Sequence, residues 1–487
     1  MKYDVAIIGA GITGSSIAFE LSKYDLKVVL LERENDVAMK TTKANSAIIH
    51  AGYDPKEGTK MARLNVLGSS LIHDYAEKLN FHYKQIGSLV VGRNEKDHAI
   101  IDKLFERGNK NGVPNLKVLK TRKEIEDLGE TNLHEDIDYA LYAPSAAIVS
   151  PWEMCLSFAE NAVKNGVALK LNCKVNDITK VGDSFEIETS LGKIESDYVI
   201  NAAGTHADDI YKLVLKEKAD KSFTIVPSRG EYYLLDKDEG NLVHHVIFQT
   251  PTEMGKGVLV SQTVHGNLIV GPDADINNAT KDCVHNTSKS MAYVRSTSVL
   301  SVPSISFGSN IRNFAGIRAT LKEYDDFLIE ESNEVKGFIN FAGIKSPGLS
   351  CGPAFGLEAV EILKSIGVQL NKKKDYEYVR RPTFFKDLSD DEKLEMIKKD
   401  SRYGQVICRC ETVTEGEIIH AMHEIIPART LDGIKRRVNS GMGRCQGGFC
   451  GPKIFELLME ELHLSYDQIY QDREGSQVVV CRTKGEN

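Results

Sequence analysis

Residues 5–14, Val5-Ala-Ile-Ile-Gly9-Ala-Gly11-Ile-Thr-Gly14, join a short apolar run to three glycines spaced for a phosphate-binding turn. The run reads as a buried strand, and a helical stretch through Ile17 and Leu21 follows the glycines before a second strand, Lys27 to Leu31. Strand, helix and strand make a βαβ unit. In such a unit the glycines give a tight turn, close approach of backbone to a pyrophosphate, and close helix-strand packing, with the anion on the positive end of the helix dipole. Gly9, Gly11 and Gly14 are therefore expected at a dinucleotide. Glu32 ends the second strand, where a carboxylate accepts hydrogen bonds from an adenosine ribose. The motif alone does not separate FAD from NAD.

Working outward, strand-helix alternation resumes near Trp152 to Ala162 and Val167 to Leu171, and Tyr198 to Asn201 reads as a further buried strand. Residues from about 81 to 142 and from about 222 to 318 carry alternating β-type patterns and turn signals such as His265-Gly-Asn. The expected fold class is α/β: a Rossmann-like domain (1–80, 143–221 and 319–370) holding an inserted, mostly antiparallel β substrate domain (81–142 and 222–318). A connector, 371–400, contains the capping-box signal Ser389-Asp-Asp-Glu392, and a compact helical unit, 401–463, contains a second one, Thr414-Glu-Gly-Glu417. A tail, 464–487, completes the chain.

Composition narrows the function classes. Sixty-one Lys and Arg against 69 Asp and Glu give a formal charge of −8, with no basic block suited to nucleic acid. Hydrophobic content of 41% and charged content of 27% are those of a globular protein, and no window offers the roughly 18 uninterrupted apolar residues of a membrane span. The apolar strand at Val5 leaves no room for a signal peptide, so a cytoplasmic protein is expected, peripheral to a membrane only through a partner.

Nine cysteines are present. Cys155, Cys173, Cys283, Cys351 and Cys481 are scattered and read as free thiols, Cys351 as a small buried apolar residue. The other four fall into Cys408-Arg-Cys410 and Cys445-Gln-Gly-Gly-Phe-Cys450, two close pairs of soft ligands suited to zinc or to an iron-sulfur cluster. Lys435, Arg436, Arg437 and Arg444 lie near them in sequence, where positive charge either offsets an anionic cluster or solvates a helix face, the second being the expected reading for any one of them.

Thr41-Thr-Lys-Ala-Asn45-Ser46-Ala-Ile-Ile-His50-Ala-Gly52 resembles the flavin-contact segment of the glycerol-3-phosphate dehydrogenase and L-2-hydroxyglutarate dehydrogenase group of D-amino-acid-oxidase-like flavoenzymes. Ile148-Val-Ser-Pro151, Asn201-Ala-Ala-Gly204, Arg229-Gly-Glu-Tyr232, Lys256-Gly-Val-Leu-Val260, Gly316-Ile-Arg318 and Gly343-Ile-Lys-Ser-Pro-Gly348-Leu349 extend the resemblance along the first 370 residues. It implies FAD as cofactor, with Arg33, Thr42, Asn45, Ser46, Val175, Gly204, Gly343, Ser346, Gly348 and Leu349 joining Gly9, Gly11, Gly14 and Glu32 at it. His50 resembles the family's catalytic base. Arg318 matches its substrate arginine and Lys256 a lysine near the substrate, and Arg229 is a further cation candidate.

The C-x-C spacing and the glycines that let backbone amides face sulfur resemble the bacterioferritin-associated ferredoxin type of 2Fe-2S domain, with Cys408, Cys410, Cys445 and Cys450 as ligands. A flavin joined to a one-electron cluster implies a dehydrogenase that passes electrons to a redox partner protein. The expected reaction is oxidation of glycerol 3-phosphate to dihydroxyacetone phosphate. An L-2-hydroxy-acid dehydrogenase of the hydroxyglutarate type, an amine-oxidising flavoenzyme and a non-catalytic electron-transfer subunit are the alternatives. The first two substrates are small anions.

Overall fold

The computed structural model describes residues 2–251, 257–481, 483 and 484. They divide into two compact units, one of Met1–Arg33 and Val37–Val379 and the other of Glu34–Asp36 and Arg380–Asn487.

In the first unit, Lys2–Ile8 is flanked by Val28–Leu31 and Gly192–Asn201, both parallel to it. Ala168–Lys170 extends the sheet beyond Val28–Leu31, and Phe338–Ala342 pairs in parallel with the end of Gly192–Asn201. Val5, Ala6, Ile7, Val29 and Leu30 are fully buried, as expected of a parallel strand covered on both faces. The helix Ile12–Leu21 is buried along its whole length and packs on Pro151–Lys164 and Gly352–Ser365. Two glycines permit the second contact: a Cβ on Gly356 would stand 2.7 Å from Ser16 O, and one on Gly352 would stand 3.0 Å from Ile12.

A second sheet takes its strands from 88–143 and 225–321, in the order Asn310–Leu321, Ile225–Leu235, Leu268–Gly271, Leu259–Gln262, Val246–Gln249, Ser88–Gly92, Tyr139–Ala143, Lys117–Leu119. Its pairs are antiparallel except Val246–Gln249 with Ser88–Gly92.

These segments also hold helices where the sequence shows β-type patterning. Glu95–Lys110 starts at Asn94, whose side chain accepts from the Asp97 amide, and buries only Ile101, Leu104 and Gly108. So narrow an apolar stripe is easily read as strand alternation. Ser288–Ser298 is the second such helix.

The second unit packs Glu415–Met422, Leu431–Val438 and Gly451–Leu462 around Ile418, Met422, Ile434 and Leu458. Reciprocal capping boxes stand at Ser389/Glu392 and Thr414/Glu417, as the sequence predicts. Arg436 and Arg437 depart from the expected solvated face. Both are buried, and both bind Asp36 at 2.9–3.0 Å. Asp36, 400 positions from Arg436 and beyond the reach of local patterning, is joined by Asp472 at 2.8 Å from Arg436 and Glu424 at 3.5 Å from Arg437. Among the described residues, no helix is long and apolar enough to cross a membrane.

Candidate active site and metal-ligand cluster

A cavity of about 1250 Å³ opens in the first unit where the glycine turn meets the second sheet. Gly9 has φ +102°, and a Cβ there would lie 2.6 Å from Ala202 O; a Cβ on Gly14 would lie 1.9 Å from Gly9 O. Gly11, Ile12 and Thr13 bring the N-terminus of the buried helix to the cavity wall. The Thr42 hydroxyl accepts from the Ile12 amide at 2.9 Å. Glu32 is fixed by the Ala10 amide, which donates to its carboxylate at 2.7 Å. Beyond it Arg33 binds Asp282 at 2.7 Å. Burial works to raise Asp282, but Arg33 and His206 hold it well below the ordinary carboxylate range.

Glu32, Arg33, Thr42, Asn45, Ser46, Val175, Gly204, Ser346, Gly348 and Leu349 all line this cavity with Gly9 and Gly11. Gly14 lies behind the turn. Gly343 also stands off the lining, with φ +70° and room only for hydrogen against Leu321. A helix N-terminus, an acidic residue at the second strand's end and a glycine-walled trough form a cradle that fits FAD.

His50 follows the short strand Ile48–Ile49 and is held from several sides. Its amide donates to Ser350 Oγ at 2.8 Å, its carbonyl accepts from Asn65 at 2.7 Å, and its ring stacks on Phe248 at 5.7 Å. His50 Nε2 lies 3.3 Å from Ser346 Oγ.

Arg318 lines the same cavity from the strand Asn310–Leu321, opposite Ser228. Its register partner Ser228 lines the cavity as well, so the two strands bring both side chains to the same wall. Its donors go to neutral oxygens, Ser228 Oγ at 3.5 Å and the Asp273 carbonyl at 3.2 Å, and among the described residues it makes no ion pair. Gly230 makes room: a Cβ there would lie 2.5 Å from the guanidinium.

Arg229 is not brought to the cavity. Its side chain is 1% exposed and bound to Glu231 at 3.2 Å and Asp275 at 2.8 Å. In the strand it is the alternate neighbour of Ser228, which lines the cavity, and so faces away. Lys256 lies outside the described residues. Phe248 and Asp273 are lining residues that the sequence reading did not single out. Phe248 sits in the unremarkable strand Val246–Gln249, and Asp273 acts near Arg318 through a backbone carbonyl, which leaves no signal of residue type.

In the second unit, Cys408 ends the strand Val406–Cys408 and Cys450 precedes the helix Gly451–Leu462; both are buried. Cys410 and Cys445 are exposed, their sulfurs 3.8 Å apart. Cys408 is lowered to about 6, first by the hydrogen bond from Cys450 and further by the Gly441 and Glu411 amides; the same Cys450 contact pushes Cys450 up. The Phe449 and Gly447 amides bond to Cys445. A Cβ on Gly443 would lie 2.2 Å from Cys410 Cβ, and Gly441 and Gly447 have φ +79° and +87°. Four sulfurs ringed by backbone N–H groups fit a thiolate-ligated iron-sulfur cluster.

Comparison with known proteins agrees with this geometry. Residues 406–460 match the BFD-like [2Fe-2S] binding domain. A glycerol 3-phosphate dehydrogenase of Caloramator mitchellensis is 48% identical over 99% of both chains. A glycerol 3-phosphate oxidase of Mycoplasma genitalium is 33% identical over 76% of this chain and 96% of its own. The FAD-bound L-alpha-glycerophosphate oxidase structure from Mycoplasma pneumoniae superimposes with a TM-score of 0.74 at 29% identity, covering 79% of this chain and all of that one. With residues 4–362 also matching its model, the chain belongs to the FAD dependent oxidoreductase family, and it carries a 2Fe-2S domain.

Proposed function

We propose that the protein oxidises glycerol 3-phosphate to dihydroxyacetone phosphate and delivers the electrons to a partner protein. The observation that carries this reading is Arg318, a guanidinium with no counter-charge among the described residues, on the same cavity wall as a tightly positioned histidine. An unpaired guanidinium facing a cavity is a fork for phosphate or carboxylate.

Alcohol oxidation needs a proton removed from oxygen while hydride leaves carbon. His50 takes the proton from the C2 hydroxyl at Nε2, the nitrogen beside Ser346 Oγ, and Ser346 helps fix the ring's aim. Arg318 binds the phosphate and so orients the carbinol carbon. FAD, when bound in the cradle, would supply the two-electron acceptor, and a 2Fe-2S cluster at Cys408, Cys410, Cys445 and Cys450 would supply one-electron chemistry toward a redox partner. The four cysteine thiolates hold that cluster.

Anaerobic mixing of the purified holoprotein with glycerol 3-phosphate, L-2-hydroxyglutarate or a secondary amine tests the substrate class. Flavin absorbance should bleach rapidly with glycerol 3-phosphate alone. Faster bleaching by L-2-hydroxyglutarate or by the amine overturns the assignment.

A further inference from the structure

Ser150-Pro-Trp-Glu153 opens the helix Pro151–Lys164 with the spacing of a capping box, yet the Ser150 side chain caps nothing and the Glu153 carboxylate is turned elsewhere. Glu153 is 2% exposed. Its Oε2 lies 2.7 Å from His82 Nδ1 and accepts the His82 backbone amide at 3.0 Å. Its Oε1 makes no hydrogen bond and lies 3.5 Å from His265 Nε2. The two imidazole rings approach to 4.9 Å. One donor atom from each of the three side chains can be chosen so that all lie within 4.8 Å of one another. None of the three lines the flavin cavity.

We propose that His82, Glu153 and His265 bind a divalent transition cation of the zinc type. Two imidazoles and a carboxylate are the donor set that such an ion selects over calcium or magnesium, and they leave a fourth position for water. Donors about 2.1 Å from a tetrahedral ion stand about 3.4 Å apart, so the side chains close by no more than about 1.4 Å to meet it.

The backbone is already set for this. The His82 carbonyl accepts from the Ser150 amide at 2.9 Å, which ties His82 to the helix start that carries Glu153. His265 sits in a turn closed by Gly266 N donating to Thr263 O at 3.0 Å and Thr263 N to Asn267 O at 2.8 Å. Glu153 lies in the first helical turn, where the helix dipole favours an ionised carboxylate. The His82 side chain is 31% exposed, which gives the ion a way in.

Glu153 Oε1 has only the His265 ring nitrogen beside it, at a long 3.5 Å, and a cation shared by the two would give this buried oxygen a closer partner. The ion would clip three segments far apart in sequence, the strand start at 82, the helix start at 153 and the hairpin turn at 265. Its expected role is structural, holding the second sheet's hairpin to the helix of the dinucleotide-binding part.

Zinc chloride titrated calorimetrically into the full-length holoprotein, with iron and acid-labile sulfide assayed before and after, tests the site. Wild type should bind one zinc per chain without losing iron and should melt at a higher temperature with zinc than without. His265→Gln and His82→Asn, each with flavin and iron contents unchanged, should lose both the binding and the melting shift. Wild type that binds no zinc, variants that bind it unchanged, or zinc uptake matched by iron release overturns the proposal.

Discussion

His50 Nε2 stands 3.3 Å from Ser346 Oγ, so residues almost 300 positions apart meet on one wall of the flavin cavity. The ring is stacked on Phe248 and its backbone is bonded at both ends, which fixes the imidazole on this wall with Nε2 beside Ser346. His50→Ala should lower kcat by about 10²–10⁴-fold, the usual worth of a general base, with FAD content unchanged. Steady-state turnover with an artificial electron acceptor and flavin released on denaturation measure both quantities. Ser346→Ala should cost less than His50→Ala, because it removes a positioning contact and leaves the base in place.

Arg318→Ala should weaken binding of the phosphate substrate by about 10–150-fold, since a hydrogen bond to a charged group is worth roughly 1.5–3 kcal/mol. Titration of KM for glycerol 3-phosphate reads this. Activity toward glycerol, which lacks the anion, should move far less. Arg229→Ala should differ in kind: its guanidinium is locked between Glu231 and Asp275, so the variant should lose thermal stability by leaving buried carboxylates uncompensated.

Gly14→Ala should abolish FAD binding. A methyl group there would lie 1.9 Å from the Gly9 carbonyl oxygen, so the glycine turn must open and the helix N-terminus shift from its place on the cavity wall. Flavin content of the purified variant is the readout, with circular dichroism as the control for folding.

Asp36 makes part of the second unit's stability dependent on pH. Burial works to raise its pKa, but Arg437 and Arg436 together lower it to about 2 from 3.8. A carboxyl whose folded value is depressed stabilises fully above its unfolded value, and the stabilisation is lost as pH falls through the folded one. Asp36 therefore loses its contribution, about 2 kcal/mol, between about pH 4 and pH 2. Asp36→Asn should melt lower than wild type at neutral pH and should flatten the acid dependence in that window, as followed by scanning calorimetry.

The βαβ unit, the capped helices of the second unit and the four-cysteine pattern were legible because each rests on neighbours in sequence. A glycine turn, a Ser-x-x-Glu box and a C-x-C pair carry their geometry with them. What escaped was set by partners far along the chain. The helix Glu95–Lys110 buries too narrow a stripe to declare itself. Arg437 reads as a surface charge until Asp36 is placed beside it, and Arg229 reads as a substrate cation until strand alternation turns it away from the wall that Ser228 occupies. His82, Glu153 and His265 belong to three separate segments, and only the fold brings them together.

Electrons taken from glycerol 3-phosphate are expected to leave through the iron-sulfur cluster. Rapid-freeze electron paramagnetic resonance of the anaerobic holoprotein, sampled after one addition of glycerol 3-phosphate, measures this most directly. Flavin bleaching followed by the signal of a reduced 2Fe-2S cluster is the expected result, with that signal missing in Cys410→Ser. Bleached flavin beside a cluster that stays oxidised, together with fast peroxide formation once oxygen is admitted, would contradict the account.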